Sequence, residues 1–330
     1  MTGEPVTYVE AIRLALQDEM RRDERVFCLG EDIGQYGGAF KVTKGFLDEF
    51  GARRVVDTPI SESLIVGAAI GAAIRGLRPV AEMQFADFVT CGFSQLVVNA
   101  ATFHYRLGQS VPLVVRLPSG GGVGGGPYHS RNPEAWFAQS PGVKVLAPAT
   151  AADAFGLMKA AIRDPDPVVY LEQKFLYRRE KGTLPLGPDG DHVVPIGSAA
   201  VRRDGTQATV LSYANGVGMA LEAAARAAAE DGLSVEVVDL RSLVPLDRET
   251  VIASARKTGR VLIVHEATLT AGFGAELAAL VADECFEWLD APVWRVAAPD
   301  APTPAEKNLE DHFRPNAAKV LGALRALCAY

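Results

Sequence analysis

The sequence predicts an α/β protein built from two doubly wound domains with mostly parallel sheets. Three observations carry that expectation. The chain has 330 residues, too many for one typical domain and suited to two. Apolar runs of strand length alternate with segments of helical period. Several of those runs are continuously apolar, which marks strands covered on both faces, as in a parallel sheet. Strand–helix–strand alternation then implies right-handed crossovers.

In the first domain, strands are expected at 26–29, 54–57, 80–85, 113–117, 143–147 and 168–172. Helices are expected at 8–22, 64–75, 88–107 and 151–164. The periodicity fades after Phe175, and the turn-rich stretch 184–191 reads as a linker. A second α/β unit follows, with strands at 208–213, 235–239, 261–265 and 293–297 and helices at 216–231, 247–257, 273–285 and 316–327. The expected division is a first domain over 1–183, a linker over 184–195 and a second domain over 196–330.

Bulk properties exclude several functions. The net charge is −7 and no basic stripe exists, so nucleic acid is not an expected partner. No uncharged apolar run approaches the ~18 residues of a membrane span. The first ten residues lack a basic segment followed by an apolar core, so no secretory signal is read there. Cys28, Cys91, Cys285 and Cys328 lie far apart without metal-ligand spacing, and they read as reduced thiols in a cytoplasmic protein.

Chemistry concentrates in two places. Asp57-Thr58-Pro59-Ile60-Ser61-Glu62-Ser63 ends a strand and opens a small-residue helix, which puts the Glu62 carboxylate at a strand-to-helix turn. Ligands in open α/β sheets bind at such strand ends; a carboxylate there also suits a helix N-terminus without any chemistry. Gly67 and Gly71 share one face of that helix, for tight packing inside the domain or for a subunit interface. The second place is the glycine run from Gly120 to Gly126, followed three residues on by His129. It satisfies GxGxxG only trivially. No helix opens directly after it and no P-loop Lys-Ser or Lys-Thr completes it, so a nucleotide site is rejected. His129 is either a proton-transfer group or a surface-loop histidine.

Asp57 to Glu62, Gly76-Leu77-Arg78-Pro79-Val80-Ala81-Glu82-Met83-Gln84-Phe85-Ala86-Asp87-Phe88, the glycine run with His129-Ser130, Leu29-Gly30-Glu31-Asp32 and Asp239-Leu240-Arg241-Ser242-Leu243 are long, ordered motifs. Together they resemble the beta subunit of the thiamine-diphosphate-dependent 2-oxo acid dehydrogenase decarboxylating component, over essentially the whole chain. The resemblance implies a transketolase-like fold with a pyrimidine-binding domain and a C-terminal transketolase-type domain. It implies an alpha subunit that holds the diphosphate and magnesium, in an α2β2 heterotetramer. The chain itself has no Gly-Asp-Gly motif for that task; Asp189-Gly190-Asp191 is a different order.

The same resemblance implies roles. Glu62 contacts the pyrimidine nitrogen N1′ of the cofactor through a charge-assisted hydrogen bond, with burial expected to raise its pKa. Phe85 is a candidate for packing on the pyrimidine ring or a core phenylalanine, and Glu31, at another strand end, either shapes the cofactor channel or is a solvated surface acid. Phe88 and Gln84 line the substrate pocket, and His129 handles protons as the acyl group passes to lipoamide. Backbone carbonyls of Leu113, Ala161, Asp164 and Asp166 match a structural potassium site. The implied reaction is oxidative decarboxylation of a 2-oxo acid, with acyl transfer to a lipoyl acyltransferase core. Gln84 to Asp87 and Lys174 to Arg178 look closer to branched-chain members, while pyruvate, acetoin and a non-catalytic scaffold are the alternatives.

Overall fold

The computed structural model describes residues 4–185, 187 and 191–330. Leu186, Pro188, Asp189 and Gly190 of the expected linker lie outside the described residues. The chain forms two compact units. One comprises residues 1–119 and 136–196; the other comprises residues 120–135 and 197–330. The glycine run therefore groups with the second unit, although strand-bearing segments of the first unit flank it in sequence.

The first unit contains strands β1 (Val6–Thr7), β2 (Val26–Gly30), β3 (Val55–Asp57), β4 (Arg78–Glu82), β5 (Val114–Ser119), β6 (Lys144–Leu146), β7 (Val168–Gln173) and β8 (Lys181–Gly182). Six of them form a parallel sheet in the order β6-β7-β5-β4-β2-β3. The short β1 and β8 pair antiparallel beside it. Its helices are α1 (Tyr8–Arg22), α2 (Phe46–Phe50), α3 (Glu62–Ile74), α4 (Val89–Ser94), α5 (Ala101–Leu107) and α7 (Ala151–Arg163); α6 (Glu134–Ala138) spans the boundary between units. Helix α1 starts on a capping box, in which Thr7 accepts from Glu10 N and the Glu10 carboxylate accepts from Thr7 N. Its apolar face, with Ile12, Leu16 and Met20, packs into a core shared with Phe155, Met158 and Tyr170.

Two sequence expectations change here. The strand expected at 80–85 ends at Glu82, which frees Gln84 and Phe85 to leave the sheet. The single helix expected at 88–107 is interrupted by a π-helical stretch, Gln95–Ala100, between α4 and α5. Such widened turns carry no signature in apolar periodicity.

The second unit contains β9 (Ala200–Arg203), β10 (Ala208–Ser212), β11 (Val235–Asp239), β12 (Ser242–Val244), β13 (Val261–Thr268) and β14 (Trp294–Ala298). Its five-stranded sheet has the order β14-β13-β10-β11-β9. All neighbours are parallel except β9, which pairs antiparallel with β11 at the edge. Helices α8 (Asn215–Asp231), α9 (Arg248–Thr258), α10 (Phe273–Glu284), α11 (Lys307–Phe313) and α12 (Ala317–Cys328) cover it. The alanines of α8 and the leucines of α12 meet over Val210, Val237 and Leu262. Small residues on α8 let α12 approach closely, so the second unit has its own core.

Candidate active site

Because the six first-unit strands run parallel, their carboxyl ends lie along one edge of the sheet. That edge holds Glu31 after β2, Thr58 and Glu62 after β3, Gln84 and Phe85 after β4, and Gln173 at the end of β7. Strand ends of an open α/β sheet are where ligands bind. Three polar atoms along this edge are buried without a hydrogen-bond partner: Glu31 Oε1, Thr58 Oγ1 and Gln173 Nε2. Buried polar atoms are ordinarily paired, which makes this edge the candidate site.

Glu62 is the first residue of α3 and is half-buried. Burial pushes the Glu31 carboxyl above its ordinary pKa, and the neighbouring Glu62, Asp32 and Glu82 push the same way. Glu62 and Glu31 thus sit within electrostatic reach of each other. Asp57, at the opening of the same motif, has a structural task. It accepts a hydrogen bond of 2.6 Å from Gly34 N, tying together the loops after β2 and β3. A Cβ on Gly34 would lie 2.3 Å from that carboxylate and would have to displace it.

Phe85 is half-buried and meets Phe40 edge-on, with centroids 5.5 Å apart. Lys174 Nζ stands 5.6 Å over the Phe85 ring. Gln84 and Phe88 are half-buried on the same segment. Beneath them lies a charge network that the sequence did not reveal. Arg116, only 1 % exposed, donates from Nε and Nη2 to both oxygens of Glu172, at 2.5 and 2.8 Å, and from Nη1 to Glu82. Tyr177 adds a 2.7 Å hydrogen bond to Glu172. Strand periodicity reads Glu82, Arg116 and Glu172 as interruptions of apolar runs; only the register of β4, β5 and β7 brings them together.

Gly67 and Gly71 do not serve tight packing inside the first unit. Among the described residues, nothing lies within 4 Å of where their Cβ atoms would be. Helix α3 meets α4 at Gly92 instead, where a Cβ would lie 2.9 Å from Val66 and 3.1 Å from the Glu62 carbonyl oxygen. Leu64, Ala68 and Gly71 are exposed on the chain alone, as is Ile60 just before them.

The positions matching a potassium site fall in one corner of the first unit. Leu113 O accepts from Val168 N, and Ala161 O accepts from Asp164 N. Arg78 already directs its guanidinium at the carbonyls of Ile162 and Asp164, at 2.6 and 3.1 Å. Asp166 contacts His104, and Lys144 lies 2.6 Å from Asp164 and 3.4 Å from Asp166.

In the second unit, His129 is half-buried at the end of the glycine loop. Gly120 N donates to Arg131 O across the loop base, at 2.9 Å. The amides of Gly122 and Gly124 point at Glu310, and both residues hold positive φ angles, 84° and 72°, where glycine alone is unstrained. Five residues beyond His129, Glu134 accepts from the Tyr213 hydroxyl, and burial lifts its carboxyl to about 7. Tyr213 stacks on His265 with ring planes 4° apart. Burial, reinforced by Arg295, pushes His265 down to about 4, so its imidazole is neutral at physiological pH. Glu134, Tyr213, His265, Glu266 and Glu310 were absent from the sequence reading; no short motif marks them, because four different segments supply them.

Two families match successive parts of the chain, and residues 120–135 lie within the first match. Residues 4–180 match the family described as transketolase, pyrimidine binding domain, and residues 197–320 match transketolase, C-terminal domain. The 2-oxoisovalerate dehydrogenase subunit beta of Bacillus subtilis is 48% identical over 328 residues, covering 98% of this chain and 99% of that protein. The pyruvate dehydrogenase E1 component subunit beta of Rhizobium meliloti is 44% identical, covering 98% of this chain and 70% of that protein. The 2-oxoisovalerate dehydrogenase subunit beta of Pseudomonas aeruginosa is 45% identical, over 91% of this chain and 89% of that protein. A solved structure described as a split gene transketolase, an inactive beta4 tetramer, superimposes with a TM-score of 0.79 at 23% identity, covering 98% of each chain. That likeness establishes the fold alone.

Proposed function

The chain belongs to the family of beta subunits of the 2-oxo acid dehydrogenase decarboxylating component, and from that premise we propose that it decarboxylates a branched-chain 2-oxo acid with thiamine diphosphate. The observation that carries the reading is the strand-end edge where Glu62 and Glu31 adjoin and three polar atoms lack partners. A ring with nitrogen donors and acceptors fits such an edge. When bound, thiamine diphosphate supplies the carbon nucleophile and the electron sink for loss of carbon dioxide.

The chain's own residues bind, orient and move protons. Glu62 holds the pyrimidine N1′ and shares a proton with it. Glu31, whose carboxyl is held above its ordinary pKa by burial and by the neighbouring Glu62, Asp32 and Glu82, lines the cofactor channel beside it. Phe85 offers a ring face for offset packing, and its edge contact with Phe40 fixes its plane. Phe88 and Gln84 line the approach of the 2-oxo acid. His129 accepts and returns the proton that accompanies acyl transfer to the lipoyl group.

The remaining cofactor contacts, the diphosphate and the magnesium, belong on this reading to an alpha subunit in an α2β2 assembly. The exposed apolar surface at Ile60, Leu64, Ala68 and Gly71, with open space beside the glycines, supports burial of α3 against another subunit. The reading also places a lipoyl acyltransferase core among the partners and the protein in the cytoplasm, where its four free cysteines suit a reducing environment. Among the described residues no helix is long and apolar enough to cross a membrane. A structural potassium ion is proposed with it, which the backbone carbonyls of Leu113, Ala161, Asp164 and Asp166 would hold; the Asp164 carbonyl already accepts from Arg78.

The experiment is co-purification of the tagged chain from its own host, followed by decarboxylation assays on 3-methyl-2-oxobutanoate and pyruvate. A co-purifying chain with Gly-Asp-Gly and preference for the branched acid is the expected result. Preference for pyruvate would keep the family and overturn the substrate. A complex that assembles without any activity would support a scaffold role instead.

A further inference from the structure

The glycine loop presents its amide groups inward, and the second unit's own carboxylates occupy them. Gly121 N donates to Glu266 Oε1 at 2.7 Å. Gly122 N donates to Glu310 Oε1 at 2.7 Å, and Gly124 N donates to Glu310 Oε2 at 3.0 Å. Glu310 therefore bridges two amides with its two oxygens, a charge-assisted arrangement stronger than neutral hydrogen bonds. Converging amides of this kind form an anion-binding concavity; here the anion is a side chain, so no external phosphate is needed to order the loop.

Both carboxylates are held rigidly themselves. Glu310 is 1 % exposed. Glu266 receives Arg314 Nη2 at 2.8 Å and Asn215 Nδ2 at 3.1 Å on its other oxygen. Burial works to raise the Glu266 carboxyl, but Arg314, the Gly121 amide and Asn215 outweigh it and hold the group below its ordinary pKa. The loop then carries this order to its end. A Cβ on Gly125 would lie 2.9 Å from His129 Cβ and 3.0 Å from Ser130 Oγ, so the loop is folded tightly against its own histidine.

We propose that Glu310 and Glu266 are positioning residues for His129: by gathering the amides of Gly121, Gly122 and Gly124 they set the loop path that presents the imidazole. The proposal rests on the proton-transfer role given to His129 above. Neither carboxylate needs to touch substrate. Their effect passes through the backbone, and small misplacements of a reacting group cost large factors in rate, up to roughly 100-fold for about 1 Å.

The test is a double-mutant cycle in the assembled complex, using Glu310→Gln, His129→Ala and the double variant. Glutamine places an amide NH2 where one loop N–H needs an acceptor, so one of the two hydrogen bonds becomes a repulsion. Two rates are read: decarboxylation with an artificial electron acceptor, and acylation of an isolated lipoyl domain. Glu310→Gln is expected to lower kcat for lipoyl acylation roughly 10- to 100-fold, with KM for the lipoyl domain unchanged and decarboxylation within about twofold. In the His129→Ala background the same substitution is expected to add nothing, because a group acting only through His129 is non-additive with its loss. Normal acylation in Glu310→Gln, or an equal further loss on top of His129→Ala, would overturn the proposal. Normal acylation in His129→Ala alone would instead remove the histidine's role, which is a distinguishable result and overturns the proposal with it. Should Glu310→Gln fail to assemble, Glu266→Gln carries the same cycle through Gly121.

Discussion

The Tyr213 hydroxyl donates to Glu134 Oε1 over 2.7 Å, with both side chains buried. Burial is the larger influence and lifts the Glu134 carboxyl from 4.5 to about 7, against the tyrosine's opposing pull. The unfolded chain releases this proton near 4.5, whereas the folded chain keeps it to about 7. Between those limits the unfolded state binds fewer protons, so stability falls as pH rises and levels off above 7. Glu134→Gln keeps an acceptor for Tyr213 and removes the titration. It is expected to be more stable than the parent at pH 8, by a margin on the order of 3 kcal/mol, with little difference at pH 4.5. Thermal or urea unfolding across that range measures it, and parallel curves for the two proteins would contradict the assignment.

Arg116 pairs with two buried carboxylates, Glu82 and Glu172, at the centre of the first sheet. Arg116→Met leaves Glu82 and Glu172 buried without a counter-charge. Breaking such a cluster on one side costs about 3–5 kcal/mol, which shows as a large fall in denaturation midpoint. The triple variant Arg116→Met, Glu82→Gln, Glu172→Gln removes every charge together and is expected to recover most of the loss. If it is no better than the single variant, shape rather than charge governs the site.

Glu62→Gln keeps the size of the side chain at the start of α3 and removes its proton exchange. Turnover of the complex is expected to fall by roughly 10²- to 10⁴-fold, the usual scale for a general acid–base group. Assembly with the partner subunit and the melting temperature stay close to the parent. Retention of near-normal turnover would leave Glu62 as a helix N-terminal acid only.

For His129 the informative quantity is the ratio of the two half-reactions. His129→Ala is expected to impair lipoyl acylation more than decarboxylation. Equal loss in both would point to a general disturbance of the loop rather than proton transfer at one step.

Both layered α/β units could be read from the sequence, because continuously apolar strands and alternating helices have only a few packing solutions. Glu62 and His129 could be singled out only as candidates, since each lies in or beside a contiguous motif, Asp57 to Glu62 and the glycine run. What the tertiary structure alone decided involves residues brought together from distant segments. Glu82, Arg116 and Glu172 become a network only through the register of three neighbouring strands. Glu266 and Glu310 reach Gly121, Gly122 and Gly124 across 145 to 188 positions of sequence. Gly67 and Gly71 show the reverse: their spacing marks a smooth helix face, but only the folded unit shows that nothing within it packs there. Periodicity records which face of an element is apolar. It carries no record of which other element supplies the partner, and partner choice is where charge pairing and loop position are determined.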